Sequence, residues 1–365
     1  MRFLYVSRQF NRSGYYILEH LLENTPFRPM AVLMPKPTSP LPLNDEERAA
    51  KEIEAYQEHT RSMNGTPLRF MKSIEQLARL HKINVVLEET IKGDAVFRRI
   101  QEMAPDLIVL GGGWPQLIPE RVLELPRLGA INTHPSLLPD FRGTDIHRWQ
   151  VRYDVRQSGT TIHYMDERFD TGDVIGQNTV QIERTDTPQA LFEKTAQAAG
   201  PLMESVLKSI ESMAPKKVTG NRQPERDKAS RYYSKWRWDD QDFLRLDWSR
   251  AAVDLERLVL ACTQESYIYN GPWFSCDGAT YLVREAWAVE DCGPQIEDGQ
   301  PGQIFRHANG YPIVRCGQGA LTLNKVQEAT SLGFPKEPHH RPALSGEEWL
   351  QQHHIPYENI RSKHT

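Results

Sequence analysis

The sequence predicts an α/β fold, a Rossmann-like mostly parallel sheet followed by a small antiparallel OB-like barrel domain. Three observations predict it. Short aliphatic or β-branched runs alternate with helical patterns through the first half of the chain, the signature of parallel strands joined by crossover helices. The composition then changes abruptly after the helical stretch 188–212. Beyond that break, short strand candidates recur between glycines, as they do in small antiparallel barrels.

The elements follow in order. Arg2 to Val6 reads as a strand, and Ile17, Leu18, Leu21 and Leu22 then fall on one face of a helix. Met30 to Met34 is a second strand, stopped by the proline-punctuated PKPTSPLP, and Ile83 to Leu87 is a third. Between them, residues 44–63 read as an inserted charged surface helix. LIVL at 107–110, ahead of Gly111 to Gly113, is a fourth strand, and Ala130 to His134 and Thr160 to Met165 are further ones. After the break a helix spans Ser249 to Cys262, and PWFSC, TYLVREAWAV, GQIFRHA, YPIVRC and ALTLNKVQ supply the barrel strands. The resulting division is a first domain at 1–207, a linker at 208–240, the barrel at 241–330 and a polar tail at 331–365 that wraps the surface.

The 365 residues carry 44 Lys+Arg against 48 Asp+Glu, a formal charge of -4, so no global basic field draws the chain to nucleic acid or to an anionic membrane. No apolar run approaches the roughly 20 residues of a bilayer span, and the opening MRFLYVSRQF turns polar too soon for a signal peptide. A cytoplasmic location is expected. The four cysteines form no CxxC pair and read as reduced thiols. Locally, Lys216 to Arg237 is rich in Lys, Arg and aromatics. That strip reads as a linker lying along the domain seam, a phosphate-binding strip or a nucleic-acid contact.

The chemistry concentrates in GAINTHPSLLPDFRG and the later SGTTIHYMDERFDTGDVIGQ. Along the strand Ala130 to His134, alternate residues Asn132 and His134 point to one face at its carboxyl end, where open parallel sheets place their sites. Asp170, in the acidic loop after the next strand, can reach the same crevice; Asp166 and Asp173 are its competitors. An amide donor, an imidazole and a carboxylate held together suit acyl transfer without a covalent intermediate. Asn132 would donate to a developing oxyanion, a contact often worth about 3–4 kcal/mol. His134 would supply a proton or a second donor, and Asp170 would orient it and favour its charged form.

NTHPSLLPDFRG followed by HYMDERFDTGDVI resembles the folate-dependent formyltransferase family, which includes phosphoribosylglycinamide formyltransferase, methionyl-tRNA formyltransferase and the nucleotide-sugar N-formyltransferases. The resemblance implies the formyltransferase fold, with Asn132, His134 and Asp170 as the catalytic residues and 10-formyltetrahydrofolate as the co-substrate. It places the pterin between the loop after the fourth strand (Trp114, Gln116, Leu117, Ile118) and the acidic loop (Met165, Asp166, Glu167, Phe169). The amine acceptor would enter from the side of Gly143 to Trp149, with Arg142, Gly143 and Trp149 as substrate-binding residues. Leu246-Asp247-Trp248, Gly271-Pro272-Trp273, Pro301-Gly302 and Val314-Arg315-Cys316-Gly317 continue the resemblance into the carboxyl-terminal barrel of the transfer-RNA and sugar enzymes. The transfer-RNA branch often has Arg-Trp-Arg-Gly where this chain has Asp140-Phe141-Arg142-Gly143, and no strongly basic loop precedes residue 65. The expected acceptor is therefore the amino group of a nucleotide-linked amino sugar, with methionyl-tRNA or another small amine as the alternatives. Sugar-modifying relatives commonly dimerise, which would make this chain a homodimer under the sugar reading, but the sequence itself offers no interface for one.

Blander readings accompany these. Arg142 could hold an acceptor phosphate or carboxylate, or form a structural salt bridge. His163, Asp166, Glu167 and Asp173 lack distinctive ligand spacing, so no metal is expected. Gly111 to Gly113 fits neither phosphate-loop pattern and reads as a tight turn making room for a ligand. Two rival classes remain: a folate sensor that has lost transfer, and a barrel whose Trp273, Tyr281 and Trp287 bind nucleic acid rather than fill a core.

Overall fold

The computed structural model describes residues 1–9, 11–36, 73–114, 116–224, 232–263, 271–307, 310–329, 343–353 and 358–359. The charged insertion expected at 44–63 and part of the basic strip lie outside them. The described chain divides into two compact units.

In the first unit the strands are β1 (Phe3–Val6), β2 (Ala31–Pro35), β3 (Asn84–Glu88), β4 (Leu107–Leu110), β5 (Ala130–His134), β6 (Arg142–Gly143), β7 (Gln157–Tyr164), β8 (Val174–Gln181) and β9 (Tyr232–Tyr233). Seven of them form one sheet in the order β3-β2-β1-β4-β5-β7-β8. The first five run parallel, β7 adds antiparallel to β5, and β8 adds antiparallel to β7. The order reverses direction between β1 and β4, the switch point outside which such sheets open a crevice.

Strand alternation builds a core on each face. Phe3, Tyr5, Val32, Val109 and Ile131 pack with Leu18 and Leu21 of the helix Arg12–Asn24 and with Met203 and Leu207 of the helix Pro188–Met213. Leu4, Val6, Leu33, Ile108 and Ala130 form the opposite face with Val96 and Ile100 of the helix Asp94–Met103. The first helix starts cleanly because the Asn11 side chain accepts from Gly14 N, satisfying one of the amides left open by the first turn. Because Ala130 and Ile131 sit on opposite faces, parity carries Asn132 and His134 along the Ala130 side.

The second unit takes Lys235–Thr365 together with His147–Val155 and Arg184–Gln189. Its strands are β10 (Trp273–Cys276), β11 (Ala279–Val289), β12 (Ile304–Arg306), β13 (Pro312–Arg315), β14 (Ala320–Glu328), β15 (Leu344–Ser345) and β16 (Glu358–Asn359). They curve into an antiparallel half-barrel in the order β10-β11-β14-β13-β12-β16, with β15 on β14 and only β12 and β16 pairing parallel. Tyr281 is core, its ring 5.1 Å from that of Trp349.

The stretch read as a polar tail departs from that reading. Leu344–Ser345 pairs with β14, and the helix Gly346–His353 that follows buries Trp349 and Leu350. Two apolar residues in a polar segment are enough to dock it. The chain also leaves the first unit before the expected boundary, since His147–Val155 belongs to the second. Among the described residues no helix is long and apolar enough to cross a membrane. All four cysteines are free, and burial pushes the Cys262 and Cys316 thiols up to about 12, far above the range of an activated thiolate.

Candidate active site

The site opens at the carboxyl end of β5, where the sheet passes from parallel to antiparallel pairing. Three segments converge there: the turn after β5, the end of β7, and the loop Met165 to Asp173 that returns into β8. The turn carries a cis Leu138–Pro139 peptide and the left-handed Phe141. It brings the Phe141 carbonyl 2.7 Å from His134 Nε2. A carbonyl can only accept, so Nε2 carries a proton and Nδ1 is the nitrogen left to exchange one. Nδ1 faces Asp170 Oδ1 at 3.5 Å, an ion-pair distance rather than a tight hydrogen bond.

Asp170 is itself held. Its backbone is left-handed, with φ at 58°, and its Oδ2 accepts from Gly143 N at 3.0 Å. Gly143 is required: its φ is +113°, and a Cβ there would lie 2.0 Å from the Tyr233 carbonyl oxygen. Gln223 donates to the carbonyls of Asp170 and Gly172 at 3.1 and 2.7 Å, fixing the loop from behind. Asp166, the first competitor, spends both carboxylate oxygens on Thr171 Oγ1 and one also on Arg168 N, which makes it the clasp of the same loop.

A cavity of about 290 Å³ lies over these groups, lined by Asn132, His134, Asp170 and Gly143. Trp114, Gln116, Leu117 and Ile118 from the loop after β4 form one wall, and Met165, Asp166 and Phe169 another. Leu117 and Phe169 are exposed at its mouth. Gln116 is fixed by Thr90 Oγ1 and Ile91 N, both donating to its Oε1. The volume sits near the lower end of small-molecule pockets, about 300 Å³. Apolar walls lined by a buried indole N–H with no protein partner at Trp114 suit a flat heteroaromatic ring with polar edges.

Three expected residues stand elsewhere. Arg142 is only 2% exposed and does not line the cavity; its guanidinium donates to Gln223 Oε1 at 2.6 and 3.1 Å. Glu167 is exposed and outside the lining. Trp149 belongs to the second unit, its ring 4.7 Å from that of Trp236 and 6.0 Å from that of Phe243. Sequence reasoning also missed residues. Asn11 and Ser13 line the cavity from the start of the first helix, and Phe192 and Thr195 from the long one. The switch-point rule could have found Asn11 and Ser13, which follow β1. His163 was weighed only as a metal ligand, yet it lines the cavity, and its Nε2 lies 3.3 Å from Asn132 Nδ2 and 3.8 Å from Asp170 Oδ1. Burial pushes its pKa down, with Asp170 opposing and His134 reinforcing that shift. Among the described residues no group of three ligating side chains could hold a metal ion.

The crevice lies on a Rossmann-like sheet, with an antiparallel half-barrel following in the chain, and the three polar side chains gathered in it suit group transfer. The family model described as Formyl transferase matches residues 54–207, and that described as Formyl transferase, C-terminal domain, matches residues 240–332. The chain belongs to the folate-dependent formyltransferase family, as a 10-formyltetrahydrofolate-dependent N-formyltransferase. A methionyl-tRNA formyltransferase of Pseudomonas fluorescens is 34% identical over 254 residues, 70% of this chain and 74% of that protein. Two solved structures share the fold at low identity. WlaRD, a sugar 3N-formyl transferase crystallised with dTDP and 5-N-formyl-THF, is 15% identical with a TM-score of 0.56 over 91% of this chain and 99% of that one. HypX from Aquifex aeolicus in complex with tetrahydrofolic acid is 16% identical with a TM-score of 0.52; the match covers 100% of this chain and 50% of HypX, so the chain spans about half of that protein's length.

Proposed function

We propose that the enzyme transfers the formyl group of 10-formyltetrahydrofolate to the primary amine of a nucleotide-linked amino sugar, with Asn132, His134 and Asp170 as its catalytic residues. The convergence of these three side chains on one cavity carries the reading. Trp114, Gln116, Leu117, Ile118, Met165 and Phe169 would hold the folate head, Asp166 keeping its loop in shape. When bound, the folate supplies the formyl carbon and a leaving nitrogen that ends the reaction protonated.

The protein's part is proton handling and charge stabilisation. The amine attacks the formyl carbon as a neutral nucleophile and must shed a proton once the new C–N bond forms. Asn132 donates an amide N–H to the oxygen that becomes negative. His134 exchanges the proton at Nδ1, since its Nε2 is committed to the Phe141 carbonyl. Asp170 faces that nitrogen and stabilises its charged form, while Gly143 N holds the carboxylate in place.

What supports a small acceptor is the turn beside the cavity. Its one cation, Arg142, is buried on Gln223, so residues 139–143 offer no exposed positive charge to a polyanion. A second reading, methionyl-tRNA as acceptor, is favoured by the 34% identity to the Pseudomonas fluorescens enzyme. A panel of dTDP-linked amino sugars and methionyl-tRNA, assayed with 10-formyltetrahydrofolate at rising salt, decides between them. Formylation of a sugar with a shallow salt slope supports the first; steep salt dependence with the tRNA alone replaces it. Transfer to neither, with folate binding intact, overturns the amine-transfer reading itself.

A further inference from the structure

Asn132 and His163 sit directly opposite each other in the antiparallel β5/β7 pair. Such positions put Cβ atoms about 4.5–5.5 Å apart, so the two side chains meet by register rather than by chance. His163 Nδ1 donates to the Tyr164 carbonyl at 2.7 Å. That commitment puts the proton of the neutral ring on Nδ1 and leaves Nε2 an acceptor. Asn132 Nδ2 stands 3.3 Å from it. The opposite orientation of the carboxamide would set Oδ1 against the Nε2 lone pair, two acceptors facing one another. Only one orientation of Asn132 is therefore hydrogen-bonded.

We infer that His163 is a positioning residue for formyl transfer: by accepting one amide proton of Asn132, it fixes the carboxamide with its second N–H available to the reacting oxygen. The inference rests on the reading of Asn132 as the oxyanion donor. His163 is 2% exposed and so is shielded from water that could compete for the same proton. The charged groups around it are Asp170, His134 and Asp166. Its burial keeps the ring neutral against the nearer Asp170, and a protonated ring would present N–H to N–H and release Asn132.

The test uses the full chain in four forms: wild type, His163→Leu, Asn132→Ala and the double variant, with His163→Gln as the conservative control. Formyl transfer is followed with 10-formyltetrahydrofolate and, as acceptors, methionyl-tRNA and a dTDP-linked amino sugar. The side-chain amide of Asn132 is read separately in protein labelled with 15N-asparagine. His163→Leu should lower kcat by about tenfold or more, the loss expected when one donor is no longer oriented, while the dissociation constant for 5-formyltetrahydrofolate moves by less than about threefold. In the Asn132→Ala background the same change should cost nothing further, because its route runs through Asn132. The Asn132 amide proton that faces His163 should shift upfield toward its position in free asparagine in His163→Leu and return in His163→Gln, whose Oε1 can accept. Unchanged amide signals in His163→Leu overturn the inference, as does a loss of kcat that multiplies with Asn132→Ala. If His163→Leu does not fold, His163→Gln decides: a disturbed Asn132 amide with wild-type kcat overturns it, and a preserved amide with preserved kcat supports it. Near-full turnover by Asn132→Ala alone is a different failure, that of the underlying mechanism.

Discussion

Two antiparallel strand pairs of this protein bury their facing residues, and they bury different things. In β11/β14 the buried opposed residues include Val283 with Val326 and Ala286 with Leu323. In β5/β7 they include Asn132 with His163 and His134 with Thr161. An apolar pair gains by leaving water and asks nothing else of its surroundings. A buried polar pair loses its hydration and persists only where each donor and acceptor has a partner. The polar pair here has partners on all sides, from the Tyr164 and Phe141 carbonyls to Asp170. The difference separates a strand pair that stabilises from one that is stabilised by its neighbours so that it can act.

The contrast is broken most directly by cutting both pairs. Asn132→Ala should lower kcat by about 10²–10³-fold, with a thermal midpoint close to wild type. Leu323→Ala should do the reverse, destabilising by about 2–5 kcal/mol through the cavity it leaves while the folded fraction keeps its specific activity. Urea titration and steady-state kinetics on the same preparations check both. A large stability loss in the first variant, or a kcat loss per folded molecule in the second, removes the distinction.

A smaller effect sharpens it at Arg142, whose guanidinium ties Gln223 to the turn. Arg142→Met should destabilise by about 1–3 kcal/mol and lower kcat, since Gln223 also holds the Asp170 and Gly172 carbonyls. If instead only the KM for the acceptor rises while the thermal midpoint stays, Arg142 binds substrate after all and the turn is not merely braced.

The sequence disclosed these regions unevenly, for physical reasons. Strand alternation and the Asn-x-His spacing are local, so β1 to β5 and the facing of Asn132 and His134 were legible, the third strand shifting by only a residue to Asn84–Glu88. The barrel strands were legible too, because each is a short apolar run closed by a turn, as at β13 and β14. What stayed hidden depends on register and on distant partners. Nothing near His163 says that it faces Asn132; the pairing of β5 with β7 decides it. Arg142 was ambiguous because its partner, Gln223, lies 81 residues away in a segment without apolar period. Trp149 follows the motif in sequence, but its ring packs with Trp236 and Phe243, and a contact of that kind leaves no local pattern. Trp349 and Leu350 show the converse, two apolar side chains outweighing the polar composition around them.

The smallest expected effect tests the neutral state of His163. Burial holds its folded pKa below the ordinary value of about 6.5. As pH falls below that value the unfolded chain takes up a proton at this position and the folded chain does not, so the unfolded state binds more protons and stability falls with pH. The contribution is fully present above about pH 6.5 and is lost on the acid side. Asp170, His134 and Asp166 act on the same ring, and Asp170 limits the shift without cancelling it. Thermal midpoints of wild type and His163→Gln, compared from about pH 7 to about pH 5, should converge as the pH drops, because only the wild type carries this acid-labile contribution. Parallel curves would mean that the imidazole titrates alike in the folded and unfolded chain, while a wild type that gains on His163→Gln as the pH drops would mean a charged ring paired with Asp170 rather than a neutral clamp on Asn132.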